Sequence, residues 1–257
     1  CKDNLEDEAF VKAASIIGRS LMTCLLGERD LSEGMSLGMI IEVLESLCSN
    51  QLLLSETQEM LIEVFNRLDK GSLVLDIDLE IQLMKLAVCV ESAKDTEEVS
   101  SLLLTKAIIR CCNVLPKHIK RMMRSQKGEE AHVVESLVDS LSSMIEHSSS
   151  FDDETLALSS KVIDSCIVAC LKYGIMESSE NLSKASGGCL KTIRLLMSSN
   201  QGALGSIRPS QIHAMAVSHS SFQSTLSGNK VVKMELIHLL ICTLSLDHKH
   251  VKVEGET

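Results

Sequence analysis

Only Pro116 and Pro209 interrupt the 257 residues of this chain, and that scarcity constrains the fold more than any other feature. A β-sandwich or barrel needs Gly and Pro turns at intervals of about a dozen residues, between strands rich in β-branched and aromatic side chains. Here thirteen glycines accompany the two prolines, and aromatic residues make up 2% of the chain: four Phe, one Tyr and no Trp. Leu, Met, Ala, Ser and Glu fill long unbroken stretches, a composition that favours helix. The sequence therefore predicts an all-α protein.

The apolar period places the helices. A first is expected from Leu5 to Leu26, behind Asn4 as N-cap, with Phe10, Ala14, Ile17, Leu21 and Cys24 on one face and Gly27 closing it. A second runs through Met39, Ile40, Val43, Leu44 and Leu47 to Ser49-Asn50. Ser55 and Gln58 have capping-box spacing for a third, which carries Met60, Leu61, Val64 and Leu68 and stops at Lys70-Gly71. From Leu75 to Leu83 the apolar residues alternate with Asp76, Asp78, Glu80 and Gln82, a strand period. No second alternating segment exists to pair with it, and a lone strand is unstable. Asp78 is therefore read as the N-cap of a helix reaching about Ala93.

Asp95 and Glu98 are placed to cap a fifth helix from Thr96 to about Val114, ended by Pro116 because the residue before proline avoids the helical region. A short basic helix is expected from Pro116, and another helix from about Glu129 to Glu146. After a Ser148-Ser149-Ser150 linker, Asp152 opens a helix to Gly174, and Ser178 or Ser179 caps one carrying Leu182, Leu190, Ile193 and Leu196. Beyond the loop marked by Gly202, Gly205 and Pro209, two short helices precede a long one from Lys230 to Leu246.

Pairing neighbouring helices gives irregular units of roughly Asn4–Asn50, Ser55–Lys94, Asp95–Ser150, Asp152–Asn200 and Pro209–Leu246, and two-helix units near 40–47 residues are the spacing of armadillo and HEAT arrays. The expected architecture is an α-solenoid of irregular armadillo/HEAT-like helical repeats over residues 1–247, followed by a polar tail or linker over 248–257. A closed helical bundle is the alternative.

Lys and Arg number 25 against 35 Asp and Glu, a net charge of −10, so a nucleic acid would have to be held by a local basic patch. Of ten cysteines, Cys24, Cys48, Cys89, Cys166 and Cys242 lie in apolar helical stretches, which predicts core thiols in a reduced intracellular compartment. Cys1-Lys2-Asp3-Asn4 does not begin a secretory signal, and the apolar stretch from Val231 to Leu246 is broken by Lys233, Glu235 and His238. The start without Met and the end at Gly255-Glu256-Thr257 lead us to expect an excerpt of a longer protein.

Motifs that carry chemistry are scarce. Ser186-Gly187-Gly188-Cys189 lies in a helical pattern without phosphate-loop spacing. Cys111 and Cys112 point about a quarter-turn apart on a helix and cannot share a metal. Cys166 and Cys170 share a face but sit among Ile163 and Ile167 as core residues, and His248 and His250 lie in a polar tail. No nucleophile elbow orders the Ser, His and Asp residues. The expectation is a protein that is not an enzyme, with no cofactor, no metal and no small-molecule substrate.

The segment from Lys117 to Lys127 stands apart. Lys117, Lys120, Arg121, Arg124 and Lys127 cluster on an arc of about 120° of a helix, with no acidic residue between them. Ile119, Met122 and Met123 fall opposite and would dock it. Without those five, 20 basic residues face 35 acidic ones, so the patch lies on an acidic body. It could be a solvated face paired with acids of a neighbouring repeat, or a contact for RNA phosphate or an acidic partner. No aromatic is interleaved for base stacking, which argues against base reading.

The last third has a further feature. Pro209-Ser210-Gln211-Ile212-His213, then Val217-Ser218-His219-Ser220-Ser221-Phe222, then the helix Val232-Lys233-Met234-Glu235-Leu236-Ile237-His238-Leu239-Leu240 resemble a block in the large nucleolar pre-ribosomal-associated proteins, also called the unhealthy ribosome biogenesis protein one family. Cys166 to Cys170 with Leu171-Lys172-Tyr173-Gly174 resembles the helix end before that block. These are ordinary residues: Pro209 can start a helix, Ser218 or Ser220 and His219 can satisfy backbone groups, and Phe222 can anchor a core. The resemblance implies a long helical-repeat scaffold in the nucleolus, acting in early large (60S) subunit assembly and pre-rRNA processing. Implied partners are pre-60S assembly factors, a related helical-repeat protein, precursor rRNA, RNA helicases and small nucleolar ribonucleoproteins. From another class, the alternative is a protein-binding repeat adaptor of the transport or ubiquitin-ligase type with no RNA role.

Overall fold

The computed structural model describes residues 36–94, 102–124, 130–148 and 180–199, together with single helical positions at 12, 16, 18, 20, 23, 24, 155, 158, 161, 162, 165, 166, 234, 237, 238 and 241. Among these residues there is no strand, and six helices have defined bounds: α1 Leu37–Ser49, α2 Leu54–Asp69, α3 Ile77–Ser92, α4 Leu102–Arg124, α5 Ala131–Glu146 and α6 Glu180–Ser199. The all-α expectation holds for this part of the chain. The chain divides into two compact units, Cys1–Arg110 and Cys111–Thr257, with the division falling inside α4.

In the first unit α1 and α2 both pack on α3. Ser36 caps α1, its Oγ accepting from the Met39 N–H at 3.3 Å. Ile40, Ile41, Leu44 and Cys48 form the buried face, whereas Met39 and Val43 lie half exposed. The helix stops where the Leu52 N–H donates to the Leu47 carbonyl and the Gln51 N–H to that of Cys48, with Gln51 left-handed at φ 59°. That is a Schellman ending with glutamine in the place glycine usually takes.

Leu53, also left-handed, precedes α2, and no side chain caps the helix. The Ser55–Gln58 capping box is therefore corrected: Leu53 and not Ser55 is the N-cap, so α2 starts two residues earlier and Ser55 lies inside the first turn. The cause is the tight α1–α2 turn, which fixes Leu53 as the entry residue. Met60, Leu61, Val64 and Leu68 are buried as expected, around Phe65. The other end has the same six-residue geometry, Ser72 N–H to Arg67 carbonyl and Gly71 N–H to Leu68 carbonyl, with Gly71 at φ 69°.

The alternating segment is helical, and its cap is Asp76 rather than Asp78. Asp76 Oδ1 accepts from the Asp78 N–H at 3.0 Å. Asp78 and Glu80 then stand in the first turn, where the partial positive charge of the helix end favours them. The alternation thus reflects a cap, a first-turn acid and a buried carboxylate.

α4 brings a larger correction. It runs through Pro116 without a break, so the basic segment is its last two turns and not a separate helix. Pro116 cannot donate to the Cys112 carbonyl, and proline within a helix costs about 3 kcal/mol. The apolar stripe on both sides offsets this: Ile108, Cys111, Leu115, Ile119 and Met122 are all buried to completion, at roughly 1.5–3 kcal/mol for each large side chain.

In the second unit α5 packs against α6. The Ser142 and Thr192 hydroxyls meet in the interface at 3.3 Å, and Lys191 reaches Glu146 at 3.6 Å near its edge. Gly188 lets the helices approach: a Cβ there would collide with the Val138 side chain. Gly188 is therefore a packing feature within α6. The helices expected over 5–26, 152–174 and 230–246 lie outside the described residues except at the single positions above, as does the tail over 248–257.

Candidate nucleic-acid interface

The end of α4 has two faces of opposite character. Ile119 and Met122 are fully buried and His118 is 8% exposed, whereas Lys117, Lys120, Arg121 and Arg124 are exposed. Every exposed residue described from 117 to 124 is a cation. The docking role expected of Ile119 and Met122 holds; the Met123 side chain and Lys127 lie outside the described residues. At 1.5 Å rise per residue, Lys117 and Arg124 stand about 10 Å apart along the axis, with Lys120 and Arg121 between them on an arc of about 100°.

None of these four cations forms an ion pair with a described carboxylate. The first described acid beyond the helix in sequence, Glu130, is already engaged: its Oε2 lies 2.8 Å from His118 Nδ1. That contact joins the basic end of α4 to the residue that precedes α5. The helix end is thus held by apolar burial and a polar clasp, while its cations remain in water.

Among the described residues, a partly buried charge cluster around Arg110 was not foreseen in the sequence. Arg110 makes a two-pronged pair with Glu80, Nε to Oε2 and Nη2 to Oε1, both at 2.8 Å. Its Nη1 donates to the Leu68 carbonyl at 3.3 Å and lies 3.5 Å from Asp69 Oδ1. The guanidinium therefore closes the C-terminal end of α2, where carbonyls lack helical partners. The hydrogen bonds that Arg110 donates to Glu80 hold its pKa above the ordinary value, while burial raises that of Asp69 despite the pull of Arg110. Every edge of Arg110 is used within the protein, so the cluster is a structural clasp. The signal available beforehand was a lone Glu80 among Ile77, Leu79, Ile81 and Leu83.

Most described cysteines line cores as expected, but Cys24 and Cys89 are only half-buried. Cys48, Cys111, Cys112, Cys166 and Cys189 are buried. Cys48 donates to Thr57 Oγ1 at 3.4 Å, and Cys111 to the Leu137 carbonyl at 3.5 Å. Burial pushes the Cys112 thiol up to about 12. Among the described residues no group of three or more His, Cys, Asp and Glu side chains could hold a metal, and no helix is long and apolar enough to cross a membrane. Cys170, His219, His248 and His250 lie outside the described residues, as does most of the block from Pro209 to Leu240; within it Met234, Ile237 and His238 are helical and exposed. No known protein family, curated protein or solved structure matches the chain.

Proposed function

We propose that this chain is a non-enzymatic α-solenoid segment, built of irregular armadillo/HEAT-like repeats, that serves as a scaffold in nucleolar assembly of early large ribosomal-subunit precursors and in pre-rRNA processing. The observation that carries the reading is the exposed face of Lys117, Lys120, Arg121 and Arg124, which no described carboxylate neutralises, on a chain of net charge −10. A scaffold with a repelling body and one attractive face holds a polyanion at a defined place and not over its whole surface. The resemblance of the segments between Cys166 and Leu240 to the nucleolar pre-ribosomal-associated proteins supplies the biological setting. It also supplies the partners proposed: pre-60S assembly factors, a related helical-repeat protein, precursor rRNA and RNA helicases.

Affinity recovery of the tagged intact protein from cells tests this reading. Precursor rRNA and large-subunit assembly factors are expected in the recovered material. Transport cargo or ubiquitin-ligase subunits, recovered without precursor rRNA, would replace the scaffold by a protein-binding adaptor.

A further inference from the structure

We infer that the Lys117–Arg124 face binds the phosphate backbone of double-helical RNA, lying along the narrow major groove and reaching the phosphates on its two sides. The choice of RNA over DNA rests on the ribosomal reading above; the choice of a duplex phosphate surface rests on the face itself.

The composition of the face separates the polyanions it could take. A protein interface draws its energy from a few large anchors, enriched in Trp, Tyr and Arg, seated in dry pockets and ringed by polar contacts. Here no apolar side chain is exposed among the described residues from 117 to 124. Exposed ion pairs with protein carboxylates contribute only about 0–1 kcal/mol each, so an acidic peptide would gain little. Phosphate chains differ because each neutralised phosphate releases condensed counterions, and charge alone then sustains binding.

Single strands are the weaker fit. Their binding surfaces combine a basic track with aromatic platforms worth about 1–3 kcal/mol per stacked base, and residues 102–148 contain no Phe, Tyr or Trp. A duplex hides its bases and presents phosphates in fixed positions, which suits a rigid array of cations. The array is rigid because Ile119 and Met122 are buried beneath it and His118 is clasped to Glu130. It also has width: Lys120 and Arg121 diverge by about 100° around the axis. A-form RNA has a deep, narrow major groove whose flanking phosphates lie closer together than in B-form DNA. Cations on both sides of one helix lying over that groove can reach both phosphate rows. The contact is short, about 10 Å long, so it involves three or four phosphates and no base edge.

The purified chain should be titrated with a synthetic RNA duplex, the DNA duplex of the same sequence, a single-stranded oligouridylate and polyglutamate, across a range of salt. Tightest binding to duplex RNA is expected, indifferent to sequence. Lys120→Glu, Arg121→Glu and Arg124→Glu together should weaken it at least tenfold and flatten the log–log salt slope by roughly 2–3. Should reversal disturb folding, as judged by circular dichroism, the triple Gln variant gives the same flattening. Equal or tighter binding to single strands, DNA or polyglutamate overturns the inference, as does an unchanged slope in a folded variant. Duplex binding by a chain that recovers no precursor rRNA from cells would leave the duplex site standing and sink the ribosomal role; the converse result would sink the duplex site alone.

Discussion

Arg110 shows how a charge can be concealed within a pattern. Glu80 falls at an alternating position of Leu75 to Leu83 and reads as the solvent side of a strand. In the fold its side chain is 6% exposed and closed by the guanidinium. Sequence period reports which residues are polar; it does not report that a polar residue has a partner 30 positions away. The first prediction follows from this clasp. Arg110→Ala leaves a buried carboxylate without its counter-charge and is expected to cost about 3–5 kcal/mol, whereas the paired replacement Glu80→Leu with Arg110→Met should recover much of that loss. Asp69 should behave in the opposite way. Its folded pKa is raised, chiefly by burial, so its contribution is most favourable below its unfolded pKa and is lost as pH rises through the folded value. Asp69→Asn is therefore expected to hold or raise the Tm at neutral pH, with the advantage fading as pH falls through the aspartate range. Thermal melts of the three variants and the parent across that range check both statements; a large drop for Asp69→Asn at neutral pH would contradict the assignment.

Helices as units were legible where apolar period and termini agree. α1, α5 and most of α3 lie close to where the period places them, and Ile119 and Met122 are buried as their side of the helix required. The errors concern local rules that tertiary packing overrides. Ser55 with Gln58 has the spacing of a capping box, but the turn through Gln51 and Leu53 sets the entry to α2. Pro116 marks a helix boundary by its own chemistry, but the stripe from Ile108 to Met122 buries continuously on both sides of it. This leaves a strained residue in an otherwise favourable helix, and relieving it is a direct test. Pro116→Ala restores an N–H that can donate to the Cys112 carbonyl and is expected to stabilise the protein by about 1–3 kcal/mol. Chemical denaturation measures it. A neutral or destabilising result would mean that the chain breaks at Pro116 and that the basic turns form a separate helix.

Across the chain as a whole, the sequence conveys that faces are buried but not which helix covers them. Pairing neighbours groups residues 95–150 in one repeat, whereas the division into compact units falls within α4, between Arg110 and Cys111. Each half of α4 sends its long-range polar contacts to its own unit: Arg110 to Glu80 and Leu68, Cys111 to the Leu137 carbonyl. Neither contact leaves a mark in hydrophobic period, which records the polarity of each residue and not the partner it meets. What both units share is a core supplemented by thiols, in a chain nearly without aromatics to fill it. Cysteine then serves as a small apolar side chain, and its reactivity becomes a reporter of the fold. Cys24 and Cys89, which are half-buried, should react with a thiol reagent in the native protein. Cys48, Cys111, Cys112, Cys166 and Cys189 should react only as structure is lost, Cys112 most reluctantly because burial pushes its thiol up to about 12. Under reducing preparation all ten cysteines are expected to titrate after denaturation. The reactivity of the buried set should rise over the same denaturant range as far-ultraviolet ellipticity falls, and a chelator should leave the Tm where it is. Early labelling of Cys111 or Cys112 while ellipticity is intact would show that the α4 core opens without unfolding, and a Tm lowered by chelation would reveal a structural metal held by these thiols.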